Sequence, residues 1–502
     1  MSRAGCSAAS TPGCAGPDVR LIAVSNRVEV ARGAPAAGGL AVALVEALRD
    51  HRGLWLGWSG RATPAAAAAR PRLQDADGFT VATIDLSQRD YEAYYNGFAN
   101  HCLWPLLHFR IDIAEYVGAE FEGYRRVNTR FADALAPLLQ ADDLIWIHDY
   151  HLFALPAELR RRGVRQRIGF FLHTPFPPRE ILATLPLHAE LMRALFDCDL
   201  LGLQTEPDVE RFCSYACAEL GAERIPGGLR AFGRRLRLEA FPVGIDAERF
   251  RDFAFSAGGE REFGRLRELL RGRAQIIGVD RLDYSKGLLR RLHAFERLLQ
   301  QHTDMHGAVE YLQIAPLSRS DVKAYRDFRR ELEQRAARIN GSYARVDWTP
   351  VRYLNRPLPR RTLAGYHRAS RVGLVTPMRD GMNLVAKEYI AAQDPADPGV
   401  LVLSQFAGAA LQLDAALLVD PYDAEAVAEA LYRALAMSRE ERCQRHRALA
   451  ASVMDEDITQ WRQRYVAALQ QAWARPRLLS RPGDKKTPPK QPSRAIPPRL
   501  SG

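Results

Sequence analysis

Residues 371–393 read RVGLVTPMRDGMNLVAKEYIAAQ, and this stretch decides the fold. The apolar run 371–377 predicts a buried strand, a loop with Gly381 follows it, and a helix is predicted from about Leu384. At such a junction, unpaired backbone N–H groups and the positive end of the helix dipole point to one place, which favours a phosphate. Glu388 lies one turn into the helix, within reach of ligand hydroxyls. The stretch indicates a sugar-nucleotide site, although alone it also fits an ordinary strand-to-helix turn.

Short apolar runs alternate with amphipathic segments along the chain, a pattern typical of parallel α/β layers. The strand candidates are 21–25, 144–147, 168–172, 200–204, 275–279, 310–314, 372–376 and 400–403. We therefore predict an α/β fold of two doubly wound, Rossmann-like domains that face a central cleft, with ligands beyond the carboxyl ends of the strands. The predicted segments are a disordered extension, a first domain, a second domain and a basic, proline-rich disordered tail, at 1–18, 19–245, 246–470 and 475–502.

The positive charge of the chain is concentrated at its end. The formal net charge is +11, and residues 475–502 hold eight Lys or Arg against one Asp, together with seven prolines. The preceding residues are only weakly basic, and they show neither a basic sheet interleaved with aromatics nor a helix-turn-helix. We expect no nucleic-acid partner and a solvated, extended tail.

Composition indicates an intracellular protein. No window approaches about 18 uninterrupted apolar residues, so no membrane partner is expected, and the start of the chain lacks the layout of a signal peptide. Seven scattered cysteines do not suggest a disulfide framework. Cys213 and Cys217 are four apart with Cys198 nearby, but a zinc site there would lack a second pair of ligands. We expect a cytoplasmic location, no metal and no other cofactor.

The first predicted strand leads into a Gly/Ala/Pro-rich loop, after which Gly38 and Gly39 begin a predicted helix. Glycines at a helix N-terminus let a ligand approach the backbone. The spacing is not that of a dinucleotide fingerprint, and no acidic residue sits at the expected place, so NAD is disfavoured. Taken alone, the pair is equally compatible with close helix packing.

Polar residues follow two consecutive predicted strands. IWIHDYH contains His148, Asp149 and His151, and FLHTPFP contains His173. Polar groups beside buried strands are costly unless they are satisfied, so the cluster suggests a ligand. A metal site at His148, Asp149 and His151 is a weak alternative, and each histidine alone fits a structural role. We favour Asp149 and His173 for substrate contact.

The stretch YEAYYNGFANHCLWP contains Tyr94, Tyr95 and Trp104. Such rings more often belong to the core than to a binding site. Sugar faces also stack on aromatic rings, so a role in binding stays open.

Two cations flank the turn in DRLDYSKG, namely Arg281 and Lys286. They repel each other unless an anion joins them, and a pyrophosphate matches that need. The alternative is that either cation pairs with Asp280 or Asp283. Arg319 also follows a predicted strand and is a candidate for a second phosphate.

In this order, the motifs resemble the trehalose-6-phosphate synthase family, retaining glycosyltransferases of family 20 with the GT-B architecture. The resemblance covers about residues 19–469 and rests on SNR at 25–27, AGGL at 37–40, GLWLGWSG at 53–60, YYN at 94–96, LWP at 103–105, WIHDYHL, FLHTPFP, DRLDYSKG, LVTPMRDGMNLVAKEY and VLVLSQFAGAA. It implies transfer of glucose from UDP-glucose to glucose 6-phosphate, giving α,α-trehalose 6-phosphate and UDP. It also implies that the first domain binds the acceptor and the second the nucleotide sugar.

The resemblance implies roles for individual residues. The implied catalytic residues are Arg281, Lys286, His173 and Asp380. The implied donor-binding residues are Gly38, Gly39, Arg281, Lys286, Leu358, Asn383, Leu384, Val385, Ala386, Lys387 and Glu388. The implied acceptor-binding residues are Arg27, Tyr95, Trp104, Asp149 and Arg319. Within these sets, the two donor cations hold the pyrophosphate, the glutamate holds the ribose, and Asp380 and His173 contact the transferred glucose.

Retention normally suggests a carboxylate nucleophile. Asp380 is the candidate at hand, but the resemblance gives it the role of binding a sugar hydroxyl, so we favour substitution on one face of the sugar.

Leu358 stands where relatives often place an aromatic beside the uracil, which leaves UDP, GDP and ADP open as donor nucleotides.

Three other matters stay open. Glycerol 3-phosphate is the nearest alternative acceptor, although Tyr95, Trp104 and Arg319 favour a hexose phosphate. A catalytically inactive regulatory subunit is disfavoured by the intact donor motif, and the chain has no DxDxT phosphatase signature. The sequence does not decide between a monomer and a homo-oligomer, either a dimer or a tetramer.

Overall fold

The computed structural model describes residues 19–28, 39–64, 70–317 and 323–473, and within them the backbone forms two β-sheets. The strands of the first sheet are β1 (Leu21–Arg27), β2 (Leu54–Thr63), β3 (Arg72–Asp75), β4 (Thr80–Ser87), β5 (Leu144–His148), β6 (Arg167–Phe171), β7 (Leu200–Leu203), β8 (Glu223–Ile225), β9 (Gly228–Ala231) and β10 (Arg234–Ala240). Their order across the sheet is β3-β4-β2-β1-β5-β6-β7-β10-β9-β8. The central strands run parallel, and antiparallel pairs occur only toward the two edges.

The second sheet is parallel throughout. Its strands are β11 (Ala274–Val279), β12 (Val309–Ile314), β13 (Val351–Leu354), β14 (Val372–Val375), β15 (Val400–Ser404) and β16 (Leu417–Val419). Their order is β13-β12-β11-β14-β15-β16. Parallel strands covered on both faces read as continuous apolar runs, and each predicted strand coincides with an observed strand to within two residues at either end.

Helices cover both sheets. The α-helices are α1 (Gly39–Asp50), α2 (Gln88–Asp90), α3 (Trp104–Leu107), α4 (Gly118–Leu135), α5 (Leu155–Arg161), α6 (Arg179–Leu182), α7 (His188–Arg193), α8 (Glu206–Leu220), α9 (Ala247–Phe255), α10 (Ala257–Leu270), α11 (Leu288–Gln301), α12 (Lys323–Tyr343), α13 (Arg360–Ala369), α14 (Leu384–Ala392), α15 (Ala424–Ala436), α16 (Arg439–Asp455) and α17 (Ile458–Gln470). A π-helical segment spans Tyr91–Leu103, and 3₁₀ turns occupy Ile111–Ile113, Ala136–Leu138, Tyr150–Leu152, Ala194–Asp197, Tyr284–Lys286, Thr303–Met305 and Gly408–Leu411. None of the helices in the described part of the chain has the length and apolarity that a bilayer span requires.

The chain passes from the first sheet to the second near Gly244 and returns near Glu456. These two crossing segments touch each other. Ile458, the first residue of α17, donates its N–H to the Ile245 carbonyl at 3.2 Å. A Cβ on Gly244 would lie 2.1 Å from the Glu456 carbonyl oxygen, so no side chain fits there. Helix α17 then packs on the first sheet, with a tyrosine ring 4.5 Å from Trp146 of β5.

Helix α17 therefore covers the first sheet although it lies within the range predicted for the second domain. The ranges 19–245 and 246–470 stay predictions. The extension and the tail, predicted at 1–18 and 475–502, lie outside the described residues.

Candidate active site

The RDGMN loop, 379–383, joins β14 to α14 and lies against the first half of the chain. Asn383 has a φ of 78°, and its side-chain oxygen accepts the Ala386 N–H at 3.3 Å, which caps the helix. A Cβ on Gly381 would lie 2.0 Å from the His173 carbonyl oxygen, so only glycine fits there. This contact brings the predicted donor loop to the strand end that carries His173.

Lys286 and Asp380 form an ion pair at the centre of the candidate site. The Lys286 ammonium lies 2.5 Å from Asp380 Oδ2, and the Asn383 amide donates to the same oxygen at 3.0 Å. Burial acts to raise the pKa of Asp380, but the lysine and the amide outweigh it, so this pKa is lowered. The carboxylate is therefore charged and held in one orientation.

The two aspartates of DRLDYSKG have other partners. Asp280 is buried against Arg291, with a nitrogen–oxygen distance of 2.6 Å. Asp283 accepts hydrogen bonds from the Trp104 indole at 3.3 Å and from the Tyr325 hydroxyl at 3.1 Å. Within the described residues, the ion pair of Lys286 is with Asp380 and not with either of these two carboxylates.

Arg281 lies between residues predicted to bind the donor and residues predicted to bind the acceptor. Its side chain is exposed, and its Cζ is 5.7 Å from the centre of the Trp104 ring. The loop that carries it is held beside the RDGMN loop, because the Met378 N–H donates to the Ser285 carbonyl at 2.8 Å. Predicted donor and acceptor residues therefore contact each other directly.

The two strand-end histidines, buried His148 and half-buried His173, form a pair. His148 Nδ1 lies 3.1 Å from His173 Nε2. Burial lowers the pKa of both rings, that of His173 to about 3, so both are neutral near neutral pH. Asp149 has a φ of 75°, which is uncommon for a residue other than glycine, and its Oδ1 accepts the His173 N–H at 3.3 Å. The structure thus brings Asp149 and His173 together beside the donor loop.

We expect the protein to lose stability as the pH falls. The unfolded chain protonates His173 near about pH 6.5, whereas burial lowers the folded pKa to about 3. The folded state therefore loses stability progressively below about pH 6.5, by about 2 kcal/mol at about pH 5 for this residue alone. Urea unfolding at about pH 7 and about pH 5 measures the loss. His173→Asn takes up no proton and should lose about 2 kcal/mol less, and an equal loss in both proteins would contradict the expectation.

Among the described residues, no group of three or more His, Cys, Asp or Glu is placed to hold a metal ion. His148, one of the three metal ligands considered from the sequence, is paired with His173. No disulfide joins any of the described cysteines, which are Cys102, Cys198, Cys213, Cys217 and Cys443. Neither the histidine metal site nor the zinc site considered from the sequence gains support.

Two of the predicted acceptor residues, Arg27 and Tyr95, lie beside Trp58. Arg27 is exposed at the end of β1, with its Cζ 5.9 Å from the Trp58 ring. Tyr95 is half-buried, stacks on His151 with centroids 5.9 Å apart and packs 5.8 Å from Trp58. Tyr94, in contrast, is fully buried and belongs to the core.

Helix α14 presents its predicted donor residues in two directions. Glu388 accepts a hydrogen bond from Arg360 at 3.1 Å, and burial raises the Glu388 pKa against the effect of this arginine. The Lys387 ammonium points to the chain crossing, where it donates to the Val243 carbonyl at 3.0 Å. Its side chain is therefore turned away from the loop, and any part it has in donor binding is through its backbone. Leu358 is half-buried and packs against the hydrophobic cluster to which Ala386 of α14 belongs.

The remaining predicted site residues are at or near helix N-termini. Leu384 and Val385 are half-buried in the first turn of α14. Gly39 begins α1. Gly38 and Arg319 lie outside the described residues.

Sequence reasoning missed His108 and Arg360. His108 is buried, its ring centroid lies 4.0 Å from that of Trp104, and its Nδ1 is 2.8 Å from the Trp104 carbonyl oxygen. Burial lowers its pKa to about 4, with further effects from Asp283 and Lys286. Its spacing of four from Trp104 was the signal available, whereas Arg360 reaches the site only through tertiary packing.

Known relatives match nearly the whole chain. The model of glycosyltransferase family 20 matches residues 22–471. Trehalose-6-phosphate synthase from Sinorhizobium fredii is 49% identical over 446 residues, which are 88% of this chain and 96% of that protein. The solved α,α-trehalose-phosphate synthase (UDP-forming) from Burkholderia xenovorans, in complex with glucose-6-phosphate, has a TM-score of 0.86 at 47% identity and covers 90% of this chain and 100% of its own.

A solved relative from Escherichia coli, bound with UDP-2-fluoro glucose, has a TM-score of 0.87 at 47% identity and covers 91% of this chain and 100% of its own. Likeness of this extent confirms the predicted α/β architecture of two facing Rossmann-like domains, the GT-B fold. The chain belongs to glycosyltransferase family 20.

Proposed function

We propose that the chain transfers glucose from UDP-glucose to glucose 6-phosphate with retention of configuration, forming α,α-trehalose 6-phosphate and UDP. The observation that carries the proposal is the meeting of the Lys286–Asp380 pair with the strand end at His173. A cation at a helix N-terminus suits a nucleotide phosphate, and the polar strand end suits a sugar. The relatives support this assignment, because one was solved with glucose-6-phosphate and another with UDP-2-fluoro glucose.

On the donor side, we assign the pyrophosphate to Arg281, Lys286 and the N–H groups at the start of α14. Four N–H groups at a helix start have no partner within the helix, and the dipole adds positive potential. Glu388 would accept hydrogen bonds from the ribose hydroxyls, since Arg360 already orients its carboxylate. Asp380 would contact the transferred glucose.

On the acceptor side, exposed Arg27 would bind the phosphate of the hexose phosphate, together with Arg319 from outside the described residues. Tyr95 and Trp104 would shape the pocket. Asp149 would accept sugar hydroxyls, and its unusual backbone conformation is the kind that persists where a side chain must be held in one direction.

We propose that substitution occurs on a single face of the sugar. The acceptor hydroxyl oxygen bonds to the anomeric carbon on the face from which UDP departs, and the hydroxyl proton passes to the leaving phosphate oxygen. Lys286, Arg281 and the helix start stabilise the negative charge that grows on UDP, which is the main catalytic effect. Asp380 is bound through one oxygen by both Lys286 and Asn383, which suits a sugar-orienting group better than a nucleophile.

Because two cations and backbone N–H groups neutralise the pyrophosphate, we expect turnover without a divalent metal. UDP release by desalted enzyme should change by less than about twofold when EDTA is added. A strict requirement for magnesium or manganese would contradict this account of the charge balance.

Acceptor choice is the sharpest test of the proposed activity. UDP release is measured with UDP-glucose and either glucose 6-phosphate or glycerol 3-phosphate, at matched concentrations. We expect kcat/KM for glucose 6-phosphate to exceed that for glycerol 3-phosphate by at least about 10²-fold, because buried polar groups that lack their hydroxyl partners penalise the smaller acceptor. The reverse preference would reassign the chain to a sister activity, and no turnover with either acceptor would favour a regulatory subunit.

Finer assignments belong to the same proposal. We propose that 19–245 binds the acceptor and 246–470 the nucleotide sugar. Leu358 offers no ring to a base, so competition among UDP-, GDP- and ADP-glucose must establish the donor preference. The lack of a disulfide among the described cysteines fits the reducing cytoplasm. Light scattering would establish whether the chain is a monomer, a dimer or a tetramer.

A further inference from the structure

Phe109 occupies a backbone position that normally belongs to glycine. The helical turn α3 ends in the two hydrogen bonds of a Schellman motif. The Arg110 N–H donates to the Pro105 carbonyl at 2.9 Å, and the Phe109 N–H donates to the Leu106 carbonyl at 3.0 Å. This pattern places the residue after the helix cap in the left-handed region, where glycine avoids the steric cost of a Cβ. Phe109 has a φ of 63°. A bulky side chain at such a position requires a compensating contact.

The nearer of two arginine contacts on the Phe109 ring is with Arg379, since the Arg211 guanidinium carbon lies 6.0 Å from the ring centre. The Arg379 guanidinium carbon lies 4.0 Å from the centre of the Phe109 ring and 4.9 Å from that of Phe406. Burial lowers the pKa of this arginine, and among the described residues it has no ion-pair partner. Cation–π attraction strengthens when the cation is removed from water. Two aromatic rings, one from each half of the chain, therefore hold the guanidinium.

Neighbouring contacts also join the first half of the chain to the second. The segment from Trp104 to Arg110 belongs to the first half, and it touches catalytic loops of the second half at both ends. Its tryptophan donates to Asp283 at 3.3 Å, and the Arg110 guanidinium lies 5.5 Å from the Tyr284 ring. Phe109 lies between these contacts and reaches the loop that carries Asp380.

We infer that Phe109 and Arg379 are positioning residues for the transfer reaction, an inference that rests on the proposed function. Arg379 precedes Asp380 in the chain, so the Phe109 ring fixes the RDGMN loop against the acceptor half. With the Gly381 contact on the His173 carbonyl, this gives the loop a second point of attachment. Asp380 and its partner Lys286 are thereby held at a set distance from the acceptor.

Phe109→Gly tests the inference, because it removes the ring and relieves the backbone at the same time. Its Tm should stay close to that of the wild type, because relief of the left-handed backbone offsets the lost ring contacts. We expect kcat to fall about tenfold or more, since small displacements of reacting groups are costly, while KM for UDP-glucose changes by less than about twofold. Arg379→Met should give a similar loss, and the double variant should lose no more than the worse single variant, because the two residues act as a unit.

Phe232→Gly is the matched control. Phe232 also has a positive φ, of 53°, and carries an arginine 4.5 Å from its ring centre, but it lies in the turn between β9 and β10. Its replacement should leave kcat unchanged. The inference is overturned if Phe109→Gly keeps kcat within about twofold of the wild type, if the losses of Phe109→Gly and Arg379→Met multiply, or if Phe232→Gly loses as much.

The two proposals fail separately. A wild-type chain that forms no disaccharide phosphate would refute the proposed function. An active wild type with an equally active Phe109→Gly would refute only the positioning role.

Discussion

Lys286→Ala is expected to lower kcat by about 10²- to 10³-fold, the usual cost of removing one group aimed at developing charge. The Lys286 ammonium lies 2.5 Å from Asp380 and reaches the place assigned to the donor phosphate. Its charge is most valuable when the departing UDP gains negative charge, so kcat should fall more than the affinity for UDP-glucose. UDP release at saturating concentrations of both substrates measures the loss.

Folding must be separated from catalysis in this variant. Removal of Lys286 leaves a buried carboxylate without its cation, so some loss of thermal stability is expected. Arg160→Ala is a matched control, because Arg160 and Asp199 form another buried pair at 2.8 Å, at the amino end of β7 and away from the site. It should lower Tm but not the kcat of the folded fraction. Near-normal kcat in folded Lys286→Ala would refute the role of the lysine.

Asp380→Ala is the second large effect, with an expected fall in kcat of about 10²-fold or more. The carboxylate contacts Lys286 and Asn383, and we assign it a hydroxyl of the transferred glucose. Since Asp380 and Lys286 act together, the double alanine variant should be about as slow as Lys286→Ala alone. Multiplied losses would show that the two groups act independently.

Added azide distinguishes a sugar-orienting Asp380 from a nucleophile. If Asp380 formed a covalent glucosyl intermediate, its removal would open that face of the anomeric carbon to azide. We expect Asp380→Ala to form no β-glucosyl azide and to gain no rate from azide. Accumulation of this product would require a double-displacement mechanism.

The strands were predictable because the local sequence of a buried strand is itself apolar. Parallel strands covered on both faces read as uninterrupted apolar runs, as in LIWIH of β5 and VLVLS of β15, and both are wholly buried. The strand–loop–helix reading of RDGMN needed only Gly381, Asn383 and the periodic residues after them. The junction around which the site is built was therefore visible from the sequence.

Contacts between distant segments were not predictable. Lys286 pairs with a carboxylate 94 residues further along the chain, although two aspartates lie much closer in sequence. Gly381 is required by the carbonyl of His173, and Phe109 adopts a glycine-like backbone to reach Arg379. Local patterns carry no record of such pairings, because tertiary packing alone brings the segments together.

Lys387 shows a related limit. Its place in the donor motif favoured a role at the ligand, yet its side chain is buried and donates to the Val243 carbonyl at the chain crossing. Burial lowers its pKa to about 8. A one-residue step along a helix turns a side chain by about 100°, so neighbours such as Glu388 and Lys387 face different surroundings.

The most direct measurement is the identification of the product by NMR, with purified chain, UDP-glucose and glucose 6-phosphate and without added metal. We expect one phosphorylated disaccharide whose two anomeric carbons are both in the α configuration, formed in equal amount with UDP. A β-linked disaccharide, or UDP accompanied only by free glucose, would contradict the account.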